Sequence, residues 1–516
     1  MAQAEYGRRR RPDRRRRGIG VLALALVLVP TGAAAVDLDT RAGRWRLNGY
    51  AEGYAVAPTE SPSPWQRPEG LVDLRVAGDL WRTLRPVLDT QFVAGGPPLN
   101  TTGFGVVNFR DAFQNISPSI AFQEAYVDLL LRWADLRLGV QKLTWGRLDT
   151  VHPADIVNPR QFRDPFITDE TDAKIGIPAA SVTAVAPDVG DLLGDGRLSV
   201  IWVPVPIPFR FPLPGERWFP PAANVPATVA IPPGYLGPHL PGADIVAGFS
   251  AQNAPVGQRL SSGAVGVRWS AVSAGVDWAL YFYNGRETAP AFDLSTAIRL
   301  ASQQGRDVLA LDGNAVIRPR YGGIWLTGAD AAFQFLGITA RAEAGYGSNR
   351  FVPRSTAELL GLPNIRHTLG PAAPEILARL LAGETVPIDL GDLFLRRDVV
   401  EWGLGADYPW HGWVPVVQLN QTVVLDNDET LLLPNVDTRL FGALRKSWFT
   451  DRLQMDLIAV QSFERSSTVA IARFTYALTD AWRLRLGYLA IGGSANTLVG
   501  QYKANDELFV QVRYTQ

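Results

Sequence analysis

The chain has 516 residues, with 50 basic and 50 acidic side chains and no cysteine. The absence of cysteine excludes disulfides, thiolate metal sites and cysteine nucleophiles. The length would allow several domains, but the abundance of glycine and aromatic residues favours one large β structure.

The first 35 residues have the composition of a secretory signal peptide. Eight arginines precede an apolar run at residues 19–29, and three alanines follow at 33–35. This order predicts cleavage before Val36, with an uncleaved membrane anchor as the alternative. Removing eight arginines and two acids from 50 of each leaves 42 basic and 48 acidic residues, a net charge of about −6. A mildly acidic exported protein is a poor candidate for binding nucleic acid.

Beyond residue 36 the chain has no run of twenty apolar residues but many segments of about ten residues with alternating polarity. In residues 452–457, three apolar side chains alternate with Arg452, Gln454 and Asp456. In a strand this pattern gives one apolar face and one polar face. It predicts either a solvated antiparallel sheet or a membrane barrel with a wet lumen.

The lengths of the connections distinguish these two folds. Eighteen strands are predicted at residues 44–56, 71–79, 83–94, 121–131, 134–145, 180–186, 196–203, 261–270, 273–284, 314–327, 331–346, 397–408, 412–424, 437–448, 452–463, 466–477, 482–491 and 506–515. Every second connection is short, and the intervening ones are mostly long, as at 146–179, 204–260, 285–313 and 347–396. Short periplasmic turns and long extracellular loops are typical of outer-membrane barrels. The sequence therefore predicts an all-β fold over residues 36–516, a transmembrane antiparallel β-barrel of about 18 strands (range 14–18).

Two of the long loops differ from the others in composition. Residues 204–241, the main part of the extracellular loop 204–260, contain twelve prolines. We expect this stretch to form a packed cap and not to pair as a strand, because proline lacks the backbone N–H. The loop 347–396 includes residues 374–383, with proline at the start and glycine at the end of a short apolar run. That pattern predicts a short amphipathic helix on the rim or in the lumen.

Tryptophans recur near the predicted strand ends, where an interfacial aromatic belt would place them. The set comprises Trp81, Trp133, Trp145, Trp402, Trp410, Trp413, Trp448 and Trp482. Ordinary core aromatics are the alternative.

Residues 138–147 read LGVQKLTWGR, and residues 155–162 read DIVNPRQF. This pattern resembles the strand-and-loop signature of the domain-of-unknown-function family 1302 of Gram-negative outer-membrane proteins. The matching residues are Gly139, Gln141, Trp145, Gly146, Ile156, Asn158 and Pro159. The resemblance implies a porin-like β-barrel, in several lineages encoded beside exporters of the resistance-nodulation-division type, and it implies no particular solute. The chain departs from barrel habit by ending in Gln516 and not in Phe or Trp, so Tyr514 would have to serve as the terminal aromatic.

The segment 146–179 is dense in charge of both signs and also contains Phe162, Phe166 and Ile167, which predicts an ordered loop. A long loop at the rim of an eighteen-stranded barrel can fold into the aqueous lumen and narrow it. Fixed charges at such a narrowing set selectivity. The candidate constriction residues are Arg147, Asp149, Asp155, Arg160, Arg163, Asp164, Asp169, Glu170 and Lys174. The alternative is a salt-bridge network that only holds the loop in place, and Asn158 and Pro159 are expected to shape a turn.

Catalysis and metal binding have weaker support in the sequence. The four histidines, at positions 152, 239, 367 and 411, all fall in predicted loops or turns, and none has a nucleophile-elbow context. Asp169, Glu170 and Asp172 offer oxygen ligands for calcium, but their spacing matches no defined calcium loop. No enzymatic activity, cofactor or metal is therefore predicted.

The sequence thus favours an outer-membrane channel that passes a solute, with segment 146–179 as its constriction. The alternative is a plugged barrel that acts as an accessory or binding partner of an envelope exporter or a lipid transport system. The expected partners are outer-membrane lipid, the barrel-assembly machinery and, from the resemblance, an exporter of the resistance-nodulation-division type.

Overall fold

The structure is a computed structural model that describes residues 35–59, 66–96, 119–149, 152–162, 164–186, 195–212, 217–219, 228–232, 235, 243–246, 249–251, 263–303, 306–311, 315–355, 367, 370–388, 392–495 and 497–516. The predicted signal peptide lies outside these ranges except for residue 35.

Within the described ranges, eighteen antiparallel strands form a closed barrel, which confirms the predicted fold class. They are β2 (Gly43–Pro58), β3 (Gln66–Leu80), β4 (Leu84–Gly95), β5 (Ser119–Leu130), β6 (Ala134–Gln141), β7 (Ile177–Ala186), β8 (Asp195–Val203), β12 (Ala264–Ser273), β13 (Val276–Arg286), β17 (Gly323–Phe335), β18 (Ile338–Pro353), β20 (Phe394–Asp407), β21 (Trp413–Val424), β22 (Val436–Trp448), β23 (Leu453–Ser462), β24 (Ser467–Ala477), β25 (Trp482–Gly492) and β26 (Glu507–Thr515). Each strand pairs with the next, and β26 closes the ring on β2 from Tyr50↔Thr515 to Pro58↔Glu507. Closure leaves the sheet without open edges.

A short strand before β2, β1 (Val36–Thr40), adds to this sheet and was not predicted. It pairs with β2 from Val36↔Leu47 to Thr40↔Gly43. The last residue, Gln516, donates its backbone N–H to the carbonyl of Gly49 at 2.9 Å. β1 therefore continues along β2 from the point where β26 ends.

Two of the eighteen strands were predicted about eight residues too early. Residues 314–327 and 331–346 were expected to be strands joined near Gly328, whereas the observed strands are β17 and β18. The turn lies at Leu336 and Gly337, which have φ of 50° and 81°. Gly328 lies within β17, where a Cβ would come within 2.4 Å of the carbonyl oxygen of Ala344. The glycine thus marks a close approach of two strands and not the turn.

Side chains alternate between the two faces of the barrel wall. Large apolar side chains remain exposed on the outer face, including Leu138, Leu280, Leu404, Val417, Leu486 and Leu508. The positions between them point inward and include polar residues such as Gln141, Glu343, Gln418 and Asp437, together with apolar residues such as Ile201 and Leu326 that pack under the loops. The predicted alternation of Leu457 with Asp456 follows the same rule, since Leu457 is exposed outside and Asp456 pairs with Arg445 inside.

Three long loops contribute strands to a second sheet. Its strands are β9 (Thr228–Ile231), β10 (Ala243–Val246), β11 (Phe249–Ala251), β14 (Ala291–Gln303), β15 (Arg306–Leu311), β16 (Ala315–Arg320) and β19 (Val386–Ile388). The prediction that residues 204–241 form no strand is wrong for β9, which pairs with β10 through four residues that lie between prolines. Helix α2 (Ala373–Leu381) confirms the predicted helix, with proline in its first turn, and it contacts β14 and β19.

A four-residue helix, α1 (Glu170–Ala173), lies in the connection between β6 and β7. Over the described part of the chain, no helix combines the length and the apolar composition that a membrane span requires.

Aromatic side chains surround the end of the barrel that has the short turns. Trp81, Trp133, Trp410 and Phe449 are between 57% and 72% exposed there. Trp145 was also predicted to lie in an interfacial belt, but it is 5% exposed and lies inside the barrel against Tyr281.

The turn at Gly337 provides a test of the register of β17 and β18. We expect Gly337→Val to lower the free energy of unfolding by about 1–2 kcal/mol, because a β-branched residue would have to adopt a positive φ. Gly442→Ala is the matched control, since a Cβ at this strand position would meet nothing within 4 Å. Urea unfolding followed by tryptophan fluorescence measures the free energy of unfolding of both variants. Equal stability of the two variants would contradict the observed turn.

Candidate functional site

The segment 142–176, between β6 and β7, leaves the wall of the barrel and is closed at its base by Asn158. The Asn158 side chain accepts a hydrogen bond from the backbone N–H of Leu143 at 2.7 Å. It donates to the carbonyls of Gln141 at 3.2 Å and Ile175 at 2.8 Å. This single amide, itself 2% exposed, joins the start and the end of the loop. Asn158 is therefore a structural residue of the loop, as its place in a turn suggested.

Two further residues of the sequence signature fit the strand beneath this base. Gln141 is fully buried, donates to the carbonyl of Ala179 at 2.9 Å and accepts from the Ser181 hydroxyl at 3.1 Å. Gly139 has a φ of 131°, and a Cβ there would lie 2.2 Å from the carbonyl oxygen of Ala125. Both residues fix the strand from which the loop departs.

The carboxylate of Glu343, on the inner face of β18, binds the backbone of the loop. Its two oxygens accept the N–H groups of Arg147 at 2.9 Å and Ala154 at 2.7 Å. Gly146 passes directly over this carboxylate with a φ of 90°, and a Cβ would lie 2.5 Å from one of the oxygens. Trp145 enters the core beside it, with its ring centroid 6.0 Å from that of Tyr281.

Arg147 attaches the loop to the wall by ion pairs. It donates two hydrogen bonds to Asp277 of β13, at 2.7 and 2.8 Å, and a third to Asp330 of β17. The Asp330 side chain has no exposed surface, and Arg268 lies 3.7 Å from it. Since a buried carboxylate requires a cation or hydrogen-bond donors, Arg147 is held in the wall and is not available to a solute.

The next residues of the loop reach β18, β20 and β21. Asp149 binds the Gln418 side chain through its backbone N–H at 2.8 Å, and its carboxylate accepts from Arg341 at 3.2 Å. Leu148 is 3% exposed and lies against Gly403, where a Cβ would come within 2.7 Å of it. The loop thus contacts inward-facing groups far from the strands that carry it.

Asp155, Arg160 and Lys174 form a charge network within the loop itself. Asp155 lies 2.8 Å from Lys174 and 3.0 Å from Arg160, with 2% of its side chain exposed. Asp164 is also buried and accepts a hydrogen bond from the Trp218 indole at 2.9 Å. These four residues correspond to the alternative of a network that holds the loop in place.

The far end of the loop lies against the last strands. Asp169 is 3.2 Å from Arg473 and 3.5 Å from Arg485, and Asp172 is 3.7 Å from Arg513. Between these acids and Asp164, Ile167 is buried in an apolar cluster on the inner faces of β24, β25 and β26. Arg163 and the side chain of Glu170 lie outside the described residues.

A second loop segment, 217–219, reaches the same cluster. Arg217 lies 3.0 Å from Glu507, whose side chain has no exposed surface. Trp218 packs between Phe166 and Tyr502, with ring centroids 5.4 and 5.7 Å away. Three connections of the barrel therefore meet inside it, and they fill the side next to β24–β26.

A cavity of about 530 Å³ remains between the loop and strands β22–β24. On the loop side it is lined by Asp149 and by residues 165–169. The other lining residues belong to the wall and to the connections 425–435, 463–466 and 493–506: Leu432, Leu433, Pro434, Asp437, Arg439, Phe441, Arg445, Ile458, Val460, Ser462, Arg465, Ser467, Val469, Ile471, Arg473, Thr497, Leu498 and Val499. Of the candidate constriction residues that the structure describes with their side chains, Asp149 and Asp169 line this cavity.

The connection 425–435 brings apolar residues to the mouth of the cavity. Its turn is fixed by Thr430, whose hydroxyl and backbone N–H both donate to the carboxylate of Asp428. These hydrogen bonds lower the pKa of Asp428. Leu431 and Leu432 follow in the chain and are 1% and 4% exposed. The turn thus positions the neighbouring Leu433 and Pro434 over the cavity.

Sequence reasoning missed the groups on the wall that receive the loop. Glu343, Asp277 and Asp330 bind it, and Arg439, Arg445 and Arg473 face it across the cavity. Their alternation with apolar residues marks them as inward-facing, but the sequence alone does not say which of them meet the loop. Among the described residues, no group of three or more histidine, aspartate or glutamate side chains is placed to hold a metal ion.

No model of a known protein family matches the chain, and no curated protein matches it. The resemblance to the domain-of-unknown-function family 1302 therefore stays a prediction.

Several solved porin structures are similar in overall fold. The Acinetobacter baumannii protein OccAB4 gives a TM-score of 0.45 at 8% identity, covering 92% of this chain and 97% of that one. Salmonella typhi OmpF, solved with daunomycin, gives 0.39 at 10% identity, covering 93% and 100%. The outer membrane channel DcaP of A. baumannii gives 0.37 at 8% identity, covering 93% and 99%. At these scores the similarity transfers no site or solute to this chain.

The attachment of Arg147 can be tested by removing it. We expect Arg147→Ala to lower the free energy of unfolding by about 3–5 kcal/mol, because it leaves the buried Asp330 without its main partner. Cleavage within residues 142–176 by added trypsin should also become faster. Arg44→Ala is the control, since the Arg44–Asp39 pair is 63% and 81% exposed and is expected to contribute less than about 1 kcal/mol. Equal effects of the two substitutions would contradict the role of Arg147.

Proposed function

We propose that the protein is a porin-like channel of the outer membrane, in which segment 142–176 narrows the lumen and lets a solute pass beside it. Loop acids Asp149 and Asp169 border the passage, and arginines of the wall face them.

The outer surface of the barrel supports the location in a membrane. Leu138, Leu280, Leu404 and Leu508 are each at least 50% exposed on the outer face of the barrel. In water, such a surface would be costly and prone to association, whereas lipid solvates it. Trp81 and Trp133, at the short-turn end, have the exposure expected of an interfacial belt.

The position of the loop is the observation that carries the proposal. Arg147, Asp149 and Asp169 contact inward-facing residues on β13, β18 and β24, which belong to separate parts of the ring. A segment with these contacts crosses the interior and reduces its open cross-section. The cavity of about 530 Å³ that it leaves borders β22–β24 and contains fixed charges of both signs. Pore diameter and such charges are the two determinants of selectivity in water-filled pores.

The alternative of a plugged barrel is supported by a different observation. Trp218 and Arg217, from a second long connection, are docked on Phe166 and Glu507 and fill the side of the lumen next to β26. A barrel closed in this way would serve as an accessory protein of an envelope exporter or of lipid transport. The expected partners, among them lipid, the barrel-assembly machinery and an exporter, remain predictions from the sequence.

Conductance separates these two functions. The protein, reconstituted in planar bilayers under a potassium chloride gradient, is expected to give open-channel current steps. A correctly folded barrel without current would contradict the channel and favour the plugged form. In that case, Arg217→Ala combined with Trp218→Ala should open it.

The loop acids are expected to set ion preference. Asp149→Asn and Asp169→Asn each remove a negative charge from the border of the cavity, so the double variant should shift the reversal potential towards greater chloride permeability. The control is Asp79→Asn, on an acid near the short-turn rim that pairs with Arg85. If the double variant and the control give the same reversal potential, the loop does not form the selective part of the channel.

A further inference from the structure

The inner face of β22–β25 carries an apolar band, separate from the inner apolar residues of β7–β17 that the loop covers. Cross-strand pairing places eight residues in two adjacent rows. The first row is Phe441, Val460, Val469 and Ile491, and the second is Ala443, Ile458, Ile471 and Leu489. Inward positions of channel-forming barrels are normally polar because water fills the lumen. The band therefore requires an apolar partner.

The loops cover only part of this band. Ile167 and Trp218 bury the β24–β25 half in one apolar cluster. On β22 and β23, Phe441, Ile458 and Val460 line the cavity. Packing of the loop accounts for the first half. In the second half, Phe441 and Ala443 are buried against Val416, and Ile458 and Val460 are only partly buried and border the passage.

A charged row follows directly below the band, on the side of the short turns. Arg445, Asp456 and Arg473 are cross-strand neighbours, two residues further along each strand. Arg473 is 16% exposed and 3.2 Å from Asp169 of the loop. Arg445 is 45% exposed, and its ion pair with Asp456 is long, at 3.8 Å.

Arg445 is thus the arginine of this row best placed to bind a solute. On the other side of the band, Arg439 is 25% exposed and forms a close ion pair with Asp437. Arg439 and Arg445 are six residues apart on one strand, or about 20 Å at roughly 3.3 Å per residue. An anion bound at Arg445 can therefore place an attached apolar group on the band without extending as far as Arg439.

We propose that the cavity binds amphipathic organic anions, with the anionic group on Arg445 and the apolar body against Phe441, Ile458 and Val460. This inference rests on the proposed channel and specifies its solute class. The cavity volume, about 530 Å³, lies in the range of small-molecule sites, and apolar residues make up just over half of its lining, beside seven charged ones. Guanidinium groups bind carboxylates through charge-assisted hydrogen bonds.

A homologous series of carboxylates tests the two halves of this site separately. Acetate, butyrate and hexanoate are added to the protein in planar bilayers, and block of the potassium chloride current is titrated. Binding of the same compounds to the protein in lipid nanodiscs is measured by equilibrium dialysis against empty nanodiscs. We expect the apparent affinity to rise by up to about fourfold for each added methylene, as burial on an apolar band requires.

Substitution of Arg445 tests the anionic half. Arg445→Gln should weaken hexanoate binding at least about tenfold, the effect of losing a charge-assisted hydrogen bond, and Arg445→Lys should retain part of the affinity. Arg75→Gln is the matched control, because Arg75 is an inward-facing arginine across the barrel, 37% exposed and paired with Asp89 and Glu124. It should leave hexanoate binding unchanged.

The outcomes distinguish this inference from the channel itself. Equal affinity for acetate and hexanoate would overturn the role of the apolar band. Equal or tighter binding of 1-hexanol or hexylammonium would overturn the preference for anions. If the protein conducts current but its affinity for the carboxylates does not depend on chain length, the channel function is supported and the proposed binding site is contradicted. If a barrel that conducts no current still binds hexanoate, and this binding depends on Arg445, the proposed site is supported and the channel function is contradicted.

Discussion

The arrangement of this molecule depends on the attachment of one loop to the inner wall of the barrel at β13, β17 and β18. The carboxylate of Glu343 accepts two backbone N–H groups of the loop, and Arg147 binds Asp277 and the buried Asp330. Each of these charged groups would be costly inside the barrel without its partner. The loop and the wall therefore stabilise each other, and the position of the cavity follows from this attachment.

The attachment explains why the segment carries so much charge. Most of its charged residues point into the loop or into the wall, as the pairs Asp155–Lys174 and Arg147–Asp330 show. Asp149 and Asp169 lie at the border of the cavity and connect the structural network to the proposed passage. A single chain segment thus combines a network that fixes it with a small number of charges that border the cavity.

The barrel could be predicted from the sequence because a period of two and the lengths of connections are local signals. The alternation in residues 452–457 identified a strand with its correct faces. Local signals gave a wrong prediction at Gly328, where the glycine allows two strands to approach closely and does not form a turn. They also missed β9, a strand of four residues without proline inside a proline-rich loop. The second sheet joins loops distant in sequence, and a local pattern does not indicate such pairing.

The candidate site was predicted only in part. The sequence identified the loop and its charges, and the signature residues Gly146 and Asn158 proved to shape its path. It did not separate Asp149 from Asp155, since burial depends on what the rest of the barrel places beside each of them. The sequence does not distinguish Arg445, the cation proposed to bind a solute, from the other inward-facing arginines. In the folded barrel it differs from them by its long ion pair with Asp456.

The central claim is that the loop occupies the lumen and limits passage through it. The most direct measurement is the single-channel conductance of a variant in which residues 146–173 are replaced by a short glycine–serine linker, compared with the intact protein. Heat-modifiable migration in a gel would verify that the variant is a folded barrel. We expect a severalfold larger conductance with weaker ion preference. An unchanged conductance in a folded variant would contradict the claim.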